Sequence, residues 1–243
     1  MNEASPTTKP GKWTTRLVYT AIVIIVLSLI AGQLGDQIGL QPFIPMLGLM
    51  IAILLGFIAF IIVLVSLLRK KATLTAVSWI AVGFGVLAIY KIVGMAGAGN
   101  HPIHDVTTDT QNPPEFIKVV ELRKEGENTT SYLDDGTAEK QLELYPDIET
   151  IILNEDVATA YARALNAANS MGWEIIADVP EEGRIEATAS TTFVGFKDDV
   201  VIRVKARGTN TAVDVRSKSR IGRGDMGVNA DRIRAYGKIL SQP

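Results

Sequence analysis

Three long apolar runs constrain this chain more than any other feature. Leu17 to Leu34, Ile44 to Leu68 and Leu74 to Met95 each come close to the roughly 20 residues that a helix needs to cross a hydrocarbon core. The second run carries no charge, and the third is broken only by Lys91 near its end. A backbone in lipid must satisfy its own hydrogen bonds, so the sequence predicts three transmembrane helices within an N-terminal region of residues 1–98. The first run is long for the apolar core of a signal peptide, and two more runs follow it. It reads as an uncleaved anchor.

Basic residues orient these runs. Lys9, Lys12 and Arg16 precede the first, and Arg69, Lys70 and Lys71 fill the turn between the second and third. The intervening loop "GQLGDQIGLQPF" has no basic residue. The positive-inside rule therefore places the N-terminus and the Arg69–Lys71 turn in the cytoplasm. Three crossings leave the remainder outside. In a Gram-negative cell this is a multi-pass inner-membrane protein with a periplasmic C-terminal domain. Lys91 can snorkel to the outer headgroups with Tyr90 beside it. No carboxylate lies in the runs to pair with it, so an ion or proton path is not expected. Gly48, Gly56, Ala81, Gly83 and Gly85 supply small surfaces, and Ala81 and Gly85 stand four apart. That spacing lets helices approach closely, within the chain or between two copies as a homo-oligomer.

Past residue 98 the chain changes character. Residues 99–243 are polar and of normal size for one domain. There is no cysteine, which excludes disulfides, zinc-thiolate sites and thiol nucleophiles. The stretch "FIKVVELRKEGENTTSYLDDG" reads as a strand followed by a loop, and "TAEKQLELYPDI" as a short helix ending at Pro146. "NEDVATAYARALNAANSMG" is an amphipathic helix, with Asn154 to cap it, Gly172 to end it, and Val157, Tyr161, Ala164, Leu165 and Ala168 on one face. "GWEIIADV" and "RIEATASTT" flank a turn as a hairpin. So do "FKDDVVIRVKARG" and "TAVDVRSKS". In this second pair Val200, Ile202, Val204, Ala206, Val213 and Val215 point one way, while Arg203, Lys205, Arg207, Asp214, Arg216 and Lys218 point the other. Such alternation means one buried face and one wet face. A last helix from about Asp225 to Leu240 buries Val228, Ile233, Tyr236 and Leu240. The expected fold is an α+β domain, an antiparallel sheet with helices packed on one face.

The segments "HPIHDVTTDTQNPPEF", "YPDI", "GRIEATASTTFVGFKDDVVIRV" and "VDVRSKSRIGRGDMGVNADRIRAY" resemble the domain of unknown function 1499 family, found in bacterial and plastid proteins. The resemblance covers nearly all of the second half. It implies an envelope or thylakoid setting, often with membrane spans, and it brings no activity or catalytic residues. The motif positions Asp198, Asp199, Asp225, Asn229 and Arg232 enter as candidates for whatever the domain binds.

"GRGDMG", from Gly222 to Gly227, fits a dinucleotide fingerprint, but no crossover to a parallel strand follows it. It reads as a turn with Asp225 capping the last helix, or as an anion cradle of free N–H groups with Arg220 and Arg223. Asp198 and Asp199 are adjacent on a strand, so they face opposite ways and do not converge. They read as an ordered turn holding Lys197 or backbone N–H groups. Ser217 and Ser219 have no histidine near them in sequence. His101, His104 and Asp105 are the candidate metal ligands, but Pro102 separates the histidines and "HDVTTDTQNPPEF" is rich in turn formers. That stretch reads as a strap between the membrane region and the domain.

Charge is unevenly spread. From Arg203 onward ten lysines and arginines face three acids, a balance of +7, while residues 100–202 hold seven against twenty-one, a balance of −14. Arg203, Lys205, Arg207, Arg216 and Lys218, with Arg220 and Arg223 nearby, are the candidate contacts for anionic headgroups or an acidic envelope partner. Cross-strand acids such as Glu174 and Glu186 could neutralise that face instead. The reading is a membrane-anchored, non-catalytic binding module. It needs no cofactor and contacts no nucleic acid. The alternative is an envelope hydrolase or metal-dependent enzyme that uses the His101–Asp109 segment with Asp198 or Asp225.

Overall fold

The computed structural model describes residues 12–35, 40, 43–68, 78–84, 103–133, 135–191 and 195–242. The chain divides near residues 97 and 98 into two compact units.

The first unit contains α1 (Lys12–Leu34) and α2 (Phe43–Leu68), both long and apolar enough to cross a membrane. Three spans are expected, and two are found among the described residues. Of the third run residues 78–84 are helical, and the rest, with Tyr90 and Lys91, lies outside the described residues. Small side chains dominate the inner surfaces: Val18 with Ala59, Val63 and Ala81, and Ala21 with Ala52 and Phe84. At Gly56 an added Cβ would sit 2.3 Å from the Phe84 ring, so only glycine permits that approach. Large apolar side chains such as Leu27, Ile30, Leu54 and Ile58 face outward and are exposed.

The second unit is built on a six-stranded antiparallel sheet. Its strands are β1 (Asp105–Thr107), β2 (Ile151–Leu153), β3 (Glu174–Val179), β4 (Arg184–Ser190), β5 (Lys197–Arg207) and β6 (Asn210–Ser219). The order is β1-β6-β5-β4-β3, and β2 also pairs with β6, so two short strands share one long edge. Register follows the alternating pattern: Val200, Ile202, Val204, Val213 and Val215 are all buried on one face. On that face lie α4 (Val157–Ser170) and α5 (Val228–Leu240), while α3 (Thr137–Leu144) precedes β2. The alanines of α4, at 160, 164, 167 and 168, let it lie close to the sheet. Tyr236 of α5 stacks on Trp173 at 5.3 Å between ring centres and donates its hydroxyl to Ala164 O.

Several expectations shift. The helix cap is Asp156 and not Asn154, because the Asp156 carboxylate accepts from both Ala158 N and Thr159 N. Val228 and Ala206 are exposed, one at the first turn of α5 and the other near the tip of the β5–β6 hairpin. The "FIKVVEL" stretch is no strand. It forms a 3-10 turn over Val119–Leu122, because Glu186 accepts from the amides of Ile117, Lys118 and Val119 and draws that backbone into a tight bend. The second face of the sheet is therefore not wet. Residues 108–133 lie across it as a third, irregular layer, anchored by Phe116 and Val119 against Val201.

Candidate functional site

The covered face of the sheet is where the charged residues gather. Register sets out a row across four strands: Thr188 of β4 opposite Asp199 of β5, Asp199 opposite Lys218 of β6, and Lys218 opposite Asp105 of β1. Arg216 precedes Lys218 on the same face of β6, and Arg220 follows just past the strand. Exposure of Arg216, Lys218 and Arg220 is 1%, 1% and 5%. Arginine and lysine are almost never this deep without partners.

Each has them. Asp105 accepts from Arg216 Nε and Nη2, both at 2.8 Å, and lies 2.9 Å from Lys218 Nζ. The remaining guanidinium donors of Arg216 reach Pro114 O and Thr130 O, and its plane sits between the rings of Phe116 and Tyr132. Lys218 Nζ also donates to Ser131 O at 2.8 Å. Asp199 accepts from Arg220 Nη2 at 2.8 Å and from Thr188 Oγ1, while Arg123 Nε lies 2.8 Å from its other oxygen. Asn128 stitches the cover down through Ser219 O and Gly222 O. Burial pushes the Lys218 ammonium below its ordinary value, and burial with Asp105 beside it pushes the Tyr132 hydroxyl up to about 12.

The expected basic patch is corrected accordingly. Arg203 is held by Asp109 and Asp214, Arg216 and Lys218 by Asp105, and Arg220 by Asp199, because the acids come from the cover and from neighbouring strands. Glu186 neutralises Arg184 as well. Lys205, Arg207 and Arg223 remain exposed. The anion cradle at "GRGDMG" loses its donors too: Asp225 accepts from Gly227 N and Asn229 N, and Arg220 points into the sheet.

Asp198 and Asp199 do face opposite ways, though within β5 and on arginine partners, not in a turn. Asp198 pairs with Arg232 on the helix side. Arg232 also donates to Ser217 Oγ and Asn229 Oδ1, and Asn229 Nδ2 donates to Ser219 Oγ at 2.9 Å. The motif residues Asp198, Asp225, Asn229 and Arg232 thus meet where α5 begins, and Asp199 lies behind the sheet. Both serines are bound into this network. Within β1 and its entry, His104 Nδ1 faces Arg223 O at 3.3 Å, while Asp105 is taken by Arg216 and Lys218. Burial, and then Lys218, hold the His104 imidazole below its ordinary value. His101 lies outside the described residues, and among those described no three histidine or carboxylate groups converge as metal ligands.

Beside the charged row runs a groove of about 240 Å³. Its walls are Asn112–Glu115 and Ile117 of the cover, Glu182 and Arg184 before and in β4, and Val201, Arg203 and Lys205 of β5. The sequence did not signal it, because it forms between segments about 70 to 90 positions apart. Arg123, Asn128 and Glu186 were likewise missed as organisers. Their roles depend on where an irregular segment lands.

These features define a class: a small antiparallel α+β domain whose second sheet face carries buried ion pairs beneath a loop cover. The sequence matches the family of proteins of unknown function DUF1499 over residues 105–240, from the first strand to the end of the last helix, and the chain belongs to that family. No curated protein matches the sequence.

Proposed function

We propose that the protein is a membrane-anchored envelope protein whose C-terminal domain is a non-catalytic binding module on the outer side of a bacterial inner membrane. The observation that carries the binding reading is the contrast on the covered face. The charged groups there, Asp105 and Asp199 with the basic residues opposite them, are closed into ion pairs. The groove beside them is open, and its lining mixes apolar Pro113, Pro114, Ile117 and Val201 with polar and charged residues that include Asn112, Glu115, Glu182, Arg184, Arg203 and Lys205. A mixed lining of this kind suits a segment of an envelope protein partner. The anchor follows from α1 and α2 with the run of residues 74–95 as a third span. That parity, with basic residues at 9, 12, 16 and 69–71, carries the domain outward.

The test is complementation of a strain lacking the protein. Lys205→Glu combined with Ile117→Arg, both exposed in the groove, should abolish rescue at normal protein abundance, while His104→Ala should rescue. Loss of rescue in His104→Ala with the protein folded and abundant would replace the binding reading with the enzyme reading.

A further inference from the structure

Most of the charges that line the groove are answered. Glu182 and Glu186 hold Arg184, and Asp109 and Asp214 hold Arg203. Two lining charges are not. Glu115 on the cover and Lys205 on β5 are exposed, and among the described residues neither has an ion-pair or hydrogen-bond partner for its side chain. They have opposite signs, yet they do not pair with each other. Register explains why. Glu186, Val201 and Arg216 stand in one row across β4, β5 and β6. Glu186 accepts from Ile117 N, and Arg216 donates to Pro114 O. The backbone on both sides of Glu115 is therefore tied to that row, at the level of Val201. Lys205 lies four residues further along β5, about 13 Å away at roughly 3.3 Å per residue.

The space between them suits a passing chain. At about 240 Å³ the groove is smaller than a small-molecule pocket, which typically holds about 300–1,000 Å³. Ile117, 54% exposed, stands with Pro113 in its apolar lining. An extended segment laid along β5 advances about 3.3 Å per residue and turns every second side chain to the same face. Residues i and i+4 of such a segment span the same distance of about 13 Å, and residue i+2 falls between them over the apolar lining. Charge complementarity sets the ends, a base toward Glu115 and an acid toward Lys205. Rim charges of this kind govern the choice of partner more than the affinity.

We infer that the groove selects an extended segment of a partner protein with the pattern basic-x-apolar-x-acidic, its basic residue on Glu115, its apolar residue on Ile117 and Pro113, and its acidic residue on Lys205. The inference rests on the binding-module reading and names the chemistry of the partner segment. Either chain direction satisfies it, because a reversed segment presents the same three groups. Two like charges do not, because one of them faces its own sign.

The test uses the full chain in nanodiscs and three seven-residue peptides. Each peptide has a central leucine in a serine background, flanked two positions away on each side by Lys and Glu, by two Lys, or by two Glu. Binding is followed by thermophoresis of the labelled protein, with peptide raised to millimolar concentration at low salt. The Lys and Glu peptide should bind roughly 5-fold tighter than either like-charge peptide. Glu115→Lys should move the preference to the two-Glu peptide, and Lys205→Glu should move it to the two-Lys peptide. Both side chains are exposed, so neither reversal disturbs the core. Arg207→Glu, exposed near the tip of the β5–β6 hairpin and outside the groove lining, controls for overall charge and should leave the preference as it is. Equal binding of the three peptides, binding of none, or reversals that fail to move the preference overturns the inference. Equal binding together with failed rescue by Lys205→Glu combined with Ile117→Arg removes the charge pattern and leaves the binding module standing. A clear preference together with rescue by that double variant does the reverse.

Discussion

At the scale of single residues, the domain depends on charges that water cannot reach. Asp105 is 3% exposed and is the counter-charge for both Arg216 and Lys218. Asp105→Asn leaves two cations buried without it, and removing one partner of a buried pair costs about 3–5 kcal/mol. Asp109→Asn removes a partly exposed acid from Arg203, which keeps Asp214, and should cost no more than about 1 kcal/mol. Urea unfolding of the two variants should separate them clearly, and equal midpoints would contradict the buried-pair assignment. His104 makes a different prediction. Its imidazole is held below the ordinary value by burial and by Lys218. Above that ordinary value folded and unfolded chains both hold it neutral, and its contribution is full. As pH falls through the ordinary value the unfolded chain binds the proton first, so stability falls until the folded value is passed. The unfolding midpoint should drop from pH 7 to pH 5, and His104→Asn should flatten that slope. An unchanged slope would remove His104 from the account.

At the scale of elements, the cover and the spans are held by opposite means. The cover has no ladder hydrogen bonds of its own beyond a short 3-10 turn, and Glu186 binds it through three consecutive amides. Glu186→Ala should raise hydrogen exchange at residues 117–119 while β5 and β6 stay protected. Uniform loosening of the sheet would contradict a local role. In the membrane-length helices the contact is steric. Gly56→Val forces a side chain into the Phe84 ring, and overpacking typically costs about 1–3 kcal/mol. Gly83 faces open space, so Gly83→Ala should be neutral in the same detergent unfolding assay. What the sequence made legible follows the same division. Period-two alternation located β5 and β6 and their buried valines, and the spacing of Tyr161, Ala164 and Ala168 located α4. β1 and β2 are three residues each, too short to show a period. The turn of residues 119–122 looked like a strand because its valines suit one, and only a carboxylate 67 positions away bends it. The alternation of Arg216 and Lys218 was legible as a second face. Whether that face met water depended on a cover whose sequence has no periodic signature.

At the scale of the whole molecule, the chain joins two helices of membrane length to a DUF1499 domain, and we propose that this domain lies outside the cytoplasm. The parity of crossings decides this. Three spans carry residues 99–243 outward, and two would leave them inside with the N-terminus. The most direct measurement is a pair of topology reporters in the intact chain, alkaline phosphatase and green fluorescent protein, each fused after Pro243 and, separately, within the Arg69–Lys71 turn. The account predicts phosphatase activity without fluorescence at the C-terminus, and fluorescence without phosphatase activity at the turn. A fluorescent, phosphatase-inactive C-terminal fusion would contradict it, reduce the anchor to two spans and move the binding face to the cytoplasm.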